Sequence, residues 1–181
     1  MPAVTRTLAA ATVITFALAL AGCASGETAA NGSGPSLADT KSPVQLLRNE
    51  AADRIPAGVI ADVIPGNDSS SACKTVGEDP EGRERFWASD VRVELTPETT
   101  VELVLSKLLI SFTSDGWVKS EDSGSASFQF TREGSAADVN VTTEQATENS
   151  GGAVIVSVQG PCVMTAGADS DEVRKLEASG N

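Results

Sequence analysis

The chain contains neither histidine nor tyrosine, and only two tryptophans and five phenylalanines in 181 residues. Without an imidazole there is no Ser-His-Asp triad, no Cys-His pair and no histidine-ligated metal, so most hydrolytic mechanisms are closed to it. A carboxylate pair or a Ser-Lys dyad is what remains for catalysis. Basic residues are scarce as well, 13 against 25 acidic ones, giving a formal charge of −12. A surface of that sign repels phosphate backbones and anionic headgroups, which argues against nucleic acid and against membrane contact through a basic patch. There is no Gly-rich phosphate loop and no Cys-x-x-Cys pair.

What the chain does have begins at its first residues. Arg6 is the only charge before Cys23, and Leu8 to Ala21 is largely apolar, carrying Phe16, Leu18 and Leu20. That stretch as a helix would cover about 21 Å, short of the roughly 30 Å hydrocarbon core, so it reads as a cleaved signal and not as a permanent span. It closes on Leu20-Ala21-Gly22-Cys23. This run resembles the lipobox of bacterial lipoproteins. The resemblance covers residues 1–23 and implies a diacylglyceryl group on the Cys23 thiol, cleavage before it, and a mature chain anchored at the extracytoplasmic face of the cell membrane. Two or three acyl chains hold a protein stably where one is marginal, each buried methylene contributing about 0.8 kcal/mol. The Ala- and Val-rich, Lys-poor remainder resembles in style the small lipoproteins of actinobacteria, a likeness that carries over no site residue.

With Cys23 assigned to lipid, Cys73 and Cys162 remain as one pair in a chain exported to an oxidising compartment, and a disulfide between them is expected. It would close a loop of about 90 residues, worth about 4 to 5 kcal/mol in the chain-entropy account. A metal site or a redox couple on the same two residues has no histidine and no nearby thiol to support it. The resulting organisation is a signal over 1–22, Cys23 and a flexible linker to Lys41, one domain over 42–165, and a flexible tail over 166–181. Ala24 to Lys41 is small and polar, with Pro35 and a single large aliphatic, Leu37, which is the composition of a tether.

Within the domain, Ser42-Pro43-Val44-Gln45 has the order of a capping box with proline at the first helical position, predicting a helix from Pro43 to about Arg54. Val59 to Ile64 is apolar but too short to classify as strand or loop. Gly66 to Gly82 is polar and reads as a long surface connection pinned by Cys73. From Trp87 to Leu95 the period is two, a strand with one buried face. Thr96-Pro97-Glu98 repeats the cap-plus-proline signal and predicts a second helix ending at Asp115-Gly116. Beyond it four strands are expected, Trp117 to Glu121, Ala126 to Arg132, Ala137 to Gln145 and Ala153 to Gly160. The turns between them are Asp122-Ser123-Gly124, Glu133-Gly134 and Asn149-Ser150-Gly151-Gly152. Their apolar and polar residues separate onto opposite faces. The pattern predicts an α+β, two-layer domain, a mostly antiparallel sheet with helices packed on one face. Around Asp171 to Leu176 the tail has the pattern of a short exposed helix at most.

Ser71-Ala72-Cys73-Lys74 matches S-x-x-K in letters but has no S-D-N or K-T-G companion and sits beside the expected disulfide. The acidic run Glu78, Asp79, Glu81 and Glu84, with Asp68, lacks the spacing of a calcium loop and reads as a solvated loop. No metal or cofactor is expected. In the second helix Val101, Val104, Leu105, Leu108, Leu109 and Phe112 fall in one arc of about 140°, whereas Leu103 and Ile110 fall on the far side. Either the first helix, through Leu46 or Leu47, or the Val59 to Ile64 segment lies across them, or they wall an apolar groove between the two helices. Trp87 and Trp117 align with core positions.

The expected function is therefore non-catalytic binding of another envelope protein by a lipid-anchored module. The competing reading is a carrier or sensor of a hydrophobic molecule held between helices and sheet. Replacing Cys23→Ser tests the anchor: the protein should leave the membrane fraction for the soluble one, and its intact mass should lack the acyl groups.

Overall fold

The computed structural model describes residues 34–179 except 122, 123, 125 and 149. The signal, Cys23 and most of the expected linker therefore lie outside the described residues, as do Asp122, Ser123 and Asn149 of the expected turns. Among the described residues seven strands form one sheet, with three α-helices.

Helix α1 runs Leu37–Ala52, not from Pro43. Two cap signals compete here, and the upstream Ser36-Leu37-Ala38-Asp39 wins. The Ser36 amide donates to Asp39 Oδ2 at 2.9 Å and the Asp39 amide donates back to Ser36 Oγ, a reciprocal box. Pro43 sits inside the helix and removes one backbone hydrogen bond. Burial explains why the helix tolerates it: Leu37, Thr40 and Lys41, assigned by composition to the linker, are all buried.

After a turn of 3-10 helix at Ala57–Val59, strand β1 occupies Ile60–Ala72. The first part of the segment expected to be a loop, Gly66 to Ala72, is thus in an edge strand antiparallel to β2, Glu84–Leu95, and the connecting loop shrinks to residues 73–83. An edge strand with solvent around its first half needs no alternation, which is why its polar residues gave no strand signal. Its register shifts between Pro65 and Asp68. There the Asn67 amide donates to Asp90 Oδ1 across the irregularity, and a Cβ on Gly66 would lie 1.8 Å from Asp90 Oδ2. Only glycine fits.

Helix α2 is Val101–Ser114, capped by Thr100 Oγ1 accepting from the Leu103 amide. It starts later than the Thr96-Pro97 signal because Thr96 to Thr99 form a turn that closes on Gly151, where a Cβ would lie 2.1 Å from the Thr96 carbonyl oxygen. Strands β3 (Val118–Lys119), β4 (Ser127–Thr131), β5 (Asp138–Glu144) and β6 (Ala153–Gln159) form the expected meander, shorter at its ends. Gly134 takes a positive φ in the turn before β5. The order across the sheet is β1-β2-β6-β5-β4-β3, so β6 returns beside β2 and makes β2 an interior strand. The short β7, Val163–Met164, extends the pairing to Glu84 and Arg85.

The domain is α+β with a mostly antiparallel sheet, and its alternation is as read: Val91, Val93, Val139, Val141, Val154, Val156 and Val158 share the covered face. Phe112 of α2 stacks on Phe130 of β4 at 4.4 Å between centroids and meets Trp117 edge-on at 5.7 Å. Both tryptophans are buried, as expected. The C-terminal residues, expected to be a flexible and at most exposed tail, form helix α3, Asp171–Ala178, whose Val173 is fully buried. The ordered domain accordingly extends on both sides of 42–165.

The stacked aromatic pair sets a prediction. Phe112→Ala should cost about 3 to 5 kcal/mol of unfolding free energy, and Ile110→Ala, two residues away on the exposed side, less than about 0.5. Urea denaturation of the two variants checks this.

Candidate functional site

Three places offer chemistry. The first is the loop after β1. Cys73 at its start is bonded to Cys162, which precedes β7, as expected. The Glu84 carboxylate stands with them, the three donor atoms lying within 4.8 Å of one another. Both sulfurs are committed to the disulfide and Glu84 holds Lys74 at 2.5 Å, so the trio is a cross-link with an ion pair beside it. The bond to Glu84 raises the Lys74 ammonium above its usual range. The acidic run does not converge on a common point. Glu78 accepts from the Thr75 hydroxyl at 2.8 Å, Asp79 accepts from the Glu84 amide at 2.8 Å, Glu81 pairs with Arg83, and Asp68 accepts from the Trp87 indole N–H at 2.7 Å. The Thr75 hydroxyl and amide hold the Glu78 carboxyl below the usual range, and the Glu84 and Arg83 amides do the same for Asp79.

Next to this loop lies an open concavity of about 580 Å³, bordered by Lys74, Asp79, Glu81, Arg85, Gly167 and Ser170. It carries both signs of charge and sits away from the helix–sheet interior. Ser71 and Lys74, the S-x-x-K letters, are not joined by a hydrogen bond; Lys74 is turned to Glu84.

The second place is the outer face of α2. Leu103 is 48% exposed and Ile110 68%, and neither the first helix nor the Val59 to Ile64 segment covers them. Val63 and Ile64 went into the edge strand and are themselves exposed. Leu46, expected to share the patch, is 62% exposed on α1, whereas Leu47 packs against the core. Helix α1 lies on β2 and β6, and its C-terminal end meets α2 through Arg54, which donates to Ser111 Oγ at 2.9 Å, pairs with Asp115 and covers the Phe112 ring at 4.5 Å. Covering of the far side of α2 is thus overturned, and its aliphatics face outward.

The third place was missed by sequence reasoning. Beneath α1 and α3, at the end of the sheet formed by β1 and β2, a set of polar side chains occupies the covered face: Lys41, Ser70, Arg85 and Ser89 are buried. Arg48 Nη1 donates to Ser89 Oγ at 2.9 Å, and Gln45 donates to Asp68. Arg85 Nε donates to Ser70 Oγ at 2.9 Å, and Ser70 Oγ donates onward to Glu177 of α3 at 2.7 Å. Lys41 Nζ donates to the Leu176 carbonyl at 2.8 Å and to Ser179 Oγ at 3.0 Å while lying 4.6 Å above the Trp87 ring. One signal was available: Arg85 and Ser89 are in phase with Trp87 and Val91, so β2 carries a charge where the alternation demands a covered residue.

The opposite face of the sheet carries Gln129, Asp138, Asn140, Thr142 and Ser157 half-exposed, with Arg92 bonded to Glu144 at 2.6 Å. Phe86 alternates onto that face, the one aromatic in β2 outside the core. No helix among the described residues is long and apolar enough to cross a membrane. No family model, curated protein or solved structure matches the chain.

A carboxyl held low in the folded chain contributes stability above its unfolded value and loses it as the pH falls through the folded one. For Asp79 the amide of Glu84 reports this directly. In an NMR titration its resonance should shift with a midpoint below the ordinary 3.8, and a midpoint at or above 3.8 overturns the loop's hydrogen bonding.

Proposed function

We propose that this chain is a non-catalytic interaction module, held by lipid on Cys23 at the extracytoplasmic face of a bacterial cell membrane, that binds another envelope protein. The observation carrying the reading is the outward placement of Leu103 and Ile110, one heptad apart on a helix whose opposite side is fully packed. Two exposed aliphatics aligned one heptad apart match the i, i+7 spacing by which helices dock on partners. A carrier would need space between helices and sheet. Phe112, Phe130, Leu108 and Trp87, all fully buried, occupy that interior, so the carrier reading has the weaker support. Catalysis is not favoured either, because the acidic groups beside the concavity are tied to amides and cations.

Photo-crosslinking in native membranes tests the proposal. A photoreactive residue at Lys107, between the two aliphatics, should give a discrete adduct with an envelope protein, and one at Asn140 on the polar sheet face should not. The Leu103→Asp, Ile110→Asp double variant should abolish the adduct while its melting temperature stays within about 3 °C of the parent, as expected for surface changes. Equal labelling from both positions, or none, overturns the reading.

A further inference from the structure

We infer that α3 is a displaceable plug, and that the groove it fills between α1 and β1 is a receptor for an acidic amphipathic helix of a partner protein. The inference deepens the interaction reading by naming the partner's chemistry and rests on it for the existence of a partner; the groove itself is testable without one.

The groove is assembled by elements that do not need α3. Lys41 belongs to α1, which has its own capping box, and Ser70, Arg85 and Trp87 belong to the β1–β2 ladder. Their arrangement suits one kind of occupant. Val173 enters an apolar seat and is fully buried, and Leu176 packs beside it. Glu177 takes the Ser70 hydroxyl, with Arg85 Nη2 at 3.9 Å, and Lys41 caps the final turn by donating to the Leu176 carbonyl. The pattern is Val, then Leu at +3 and Glu at +4, one helical face with a cation at the carbonyl end, where the helix dipole favours it.

Two features make this occupant exchangeable. An eight-residue helix has too little internal cooperativity to persist away from its seat, so leaving the groove and melting are one event. Its lead-in is also lightly held: it turns at Gly167, whose φ of +116° suits glycine alone, the Ala168 amide donates to the Glu81 carbonyl at 2.9 Å, and its other side borders the open concavity of about 580 Å³.

Charge selects the partner. On a chain of formal charge −12, two buried cations line the groove, Lys41 from α1 over the Trp87 ring and Arg85 from β2, the latter only 8% exposed. Departure of α3 strips the Leu176 carbonyl from one and Glu177 from the other. A helix bringing a carboxylate and a carbonyl end restores both, whereas an uncharged apolar helix restores the carbonyl to Lys41 but leaves Arg85 without its carboxylate.

The test uses the mature chain and a fluorescent peptide with the sequence of residues 168–181. Wild-type protein, its groove filled in cis, should bind the peptide weakly. Val173→Asp with Leu176→Asp in the protein should unseat α3 and tighten apparent affinity by about tenfold or more, because the competent fraction rises. Adding Lys41→Gln, or placing Val173→Asp in the peptide, should reverse that gain. Failure of the unseated variant to bind better, when its helical signal falls by no more than the eight residues of α3 and it still unfolds cooperatively, overturns the inference. Should that variant unfold, native-state hydrogen exchange on the wild-type chain decides: amides of α3 should open about 100-fold or more often than those of β2 and β6, and equal protection overturns the plug. A concentration-dependent dimer formed by the unseated chain with wild type would make the occupant a second copy and overturn the assignment to a foreign partner. Peptide binding without any crosslinked envelope protein would sink the partner reading and leave the groove standing.

Discussion

Strand β2 alternates from Glu84 to Leu95, so every second side chain along it must be kept from water by something above the sheet. Its position between β1 and β6 pins the backbone on both edges, which leaves side-chain cover as the unsolved demand. Helices answer it unevenly. Over Val91 to Leu95 and the valines of β5 and β6 the cover is apolar, α1 and α2 supplying Val44, Ala51, Leu108 and Phe112. Over Arg85 to Ser89 it is amphiphilic, α1 and α3 supplying Lys41, Arg48 and Glu177. One sheet face thus has a sealed end and a polar end, and the features available for function follow from that division.

Legibility in the sequence tracks how much of the physics is local. β4, β5, β6 and most of β2 were read because one-sided burial writes a period of two into the chain. The disulfide was read because compartment and cysteine number leave a single pairing. β1 was not, since an edge strand bounded by water shows no alternation and its Pro65-Gly66 looks like a turn. Both early helix starts were misplaced for a shared reason: serine and threonine before proline make plausible caps, and tertiary burial of Leu37 in one case, and closure of Thr96 onto Gly151 in the other, decided between candidates. Lys41 was the deepest miss. Its burial depends on α3, more than a hundred residues later in sequence, and no local pattern encodes a lysine folded over an indole.

The far side of α2 was legible in position but not in state. Stepping along the helix placed Leu103 and Ile110 opposite the core, yet whether another element lay over them depended on where the first helix ended up. Helix α1 crosses β2 and β6 and reaches α2 only with Arg54, which spends its guanidinium on Ser111, Asp115 and the Phe112 ring. That contact closes the junction of the two helices at their C-terminal ends and leaves the aliphatics clear of it.

An earlier start for α1 also changes the geometry of the proposed anchor. Twelve residues, not eighteen, separate Cys23 from the cap at Ser36, which shortens by about a fifth the reach a tether of that composition would have. Bringing an acidic domain nearer to an anionic bilayer raises repulsion, screened over about 8 Å at physiological ionic strength. A lipid surface is therefore a poor match for the exposed side of α2, whose Glu102 flanks Leu103. Under the proposed anchoring, a protein partner held in the same membrane would meet no such penalty, and the shared plane would raise its effective concentration near α2 and the α3 groove.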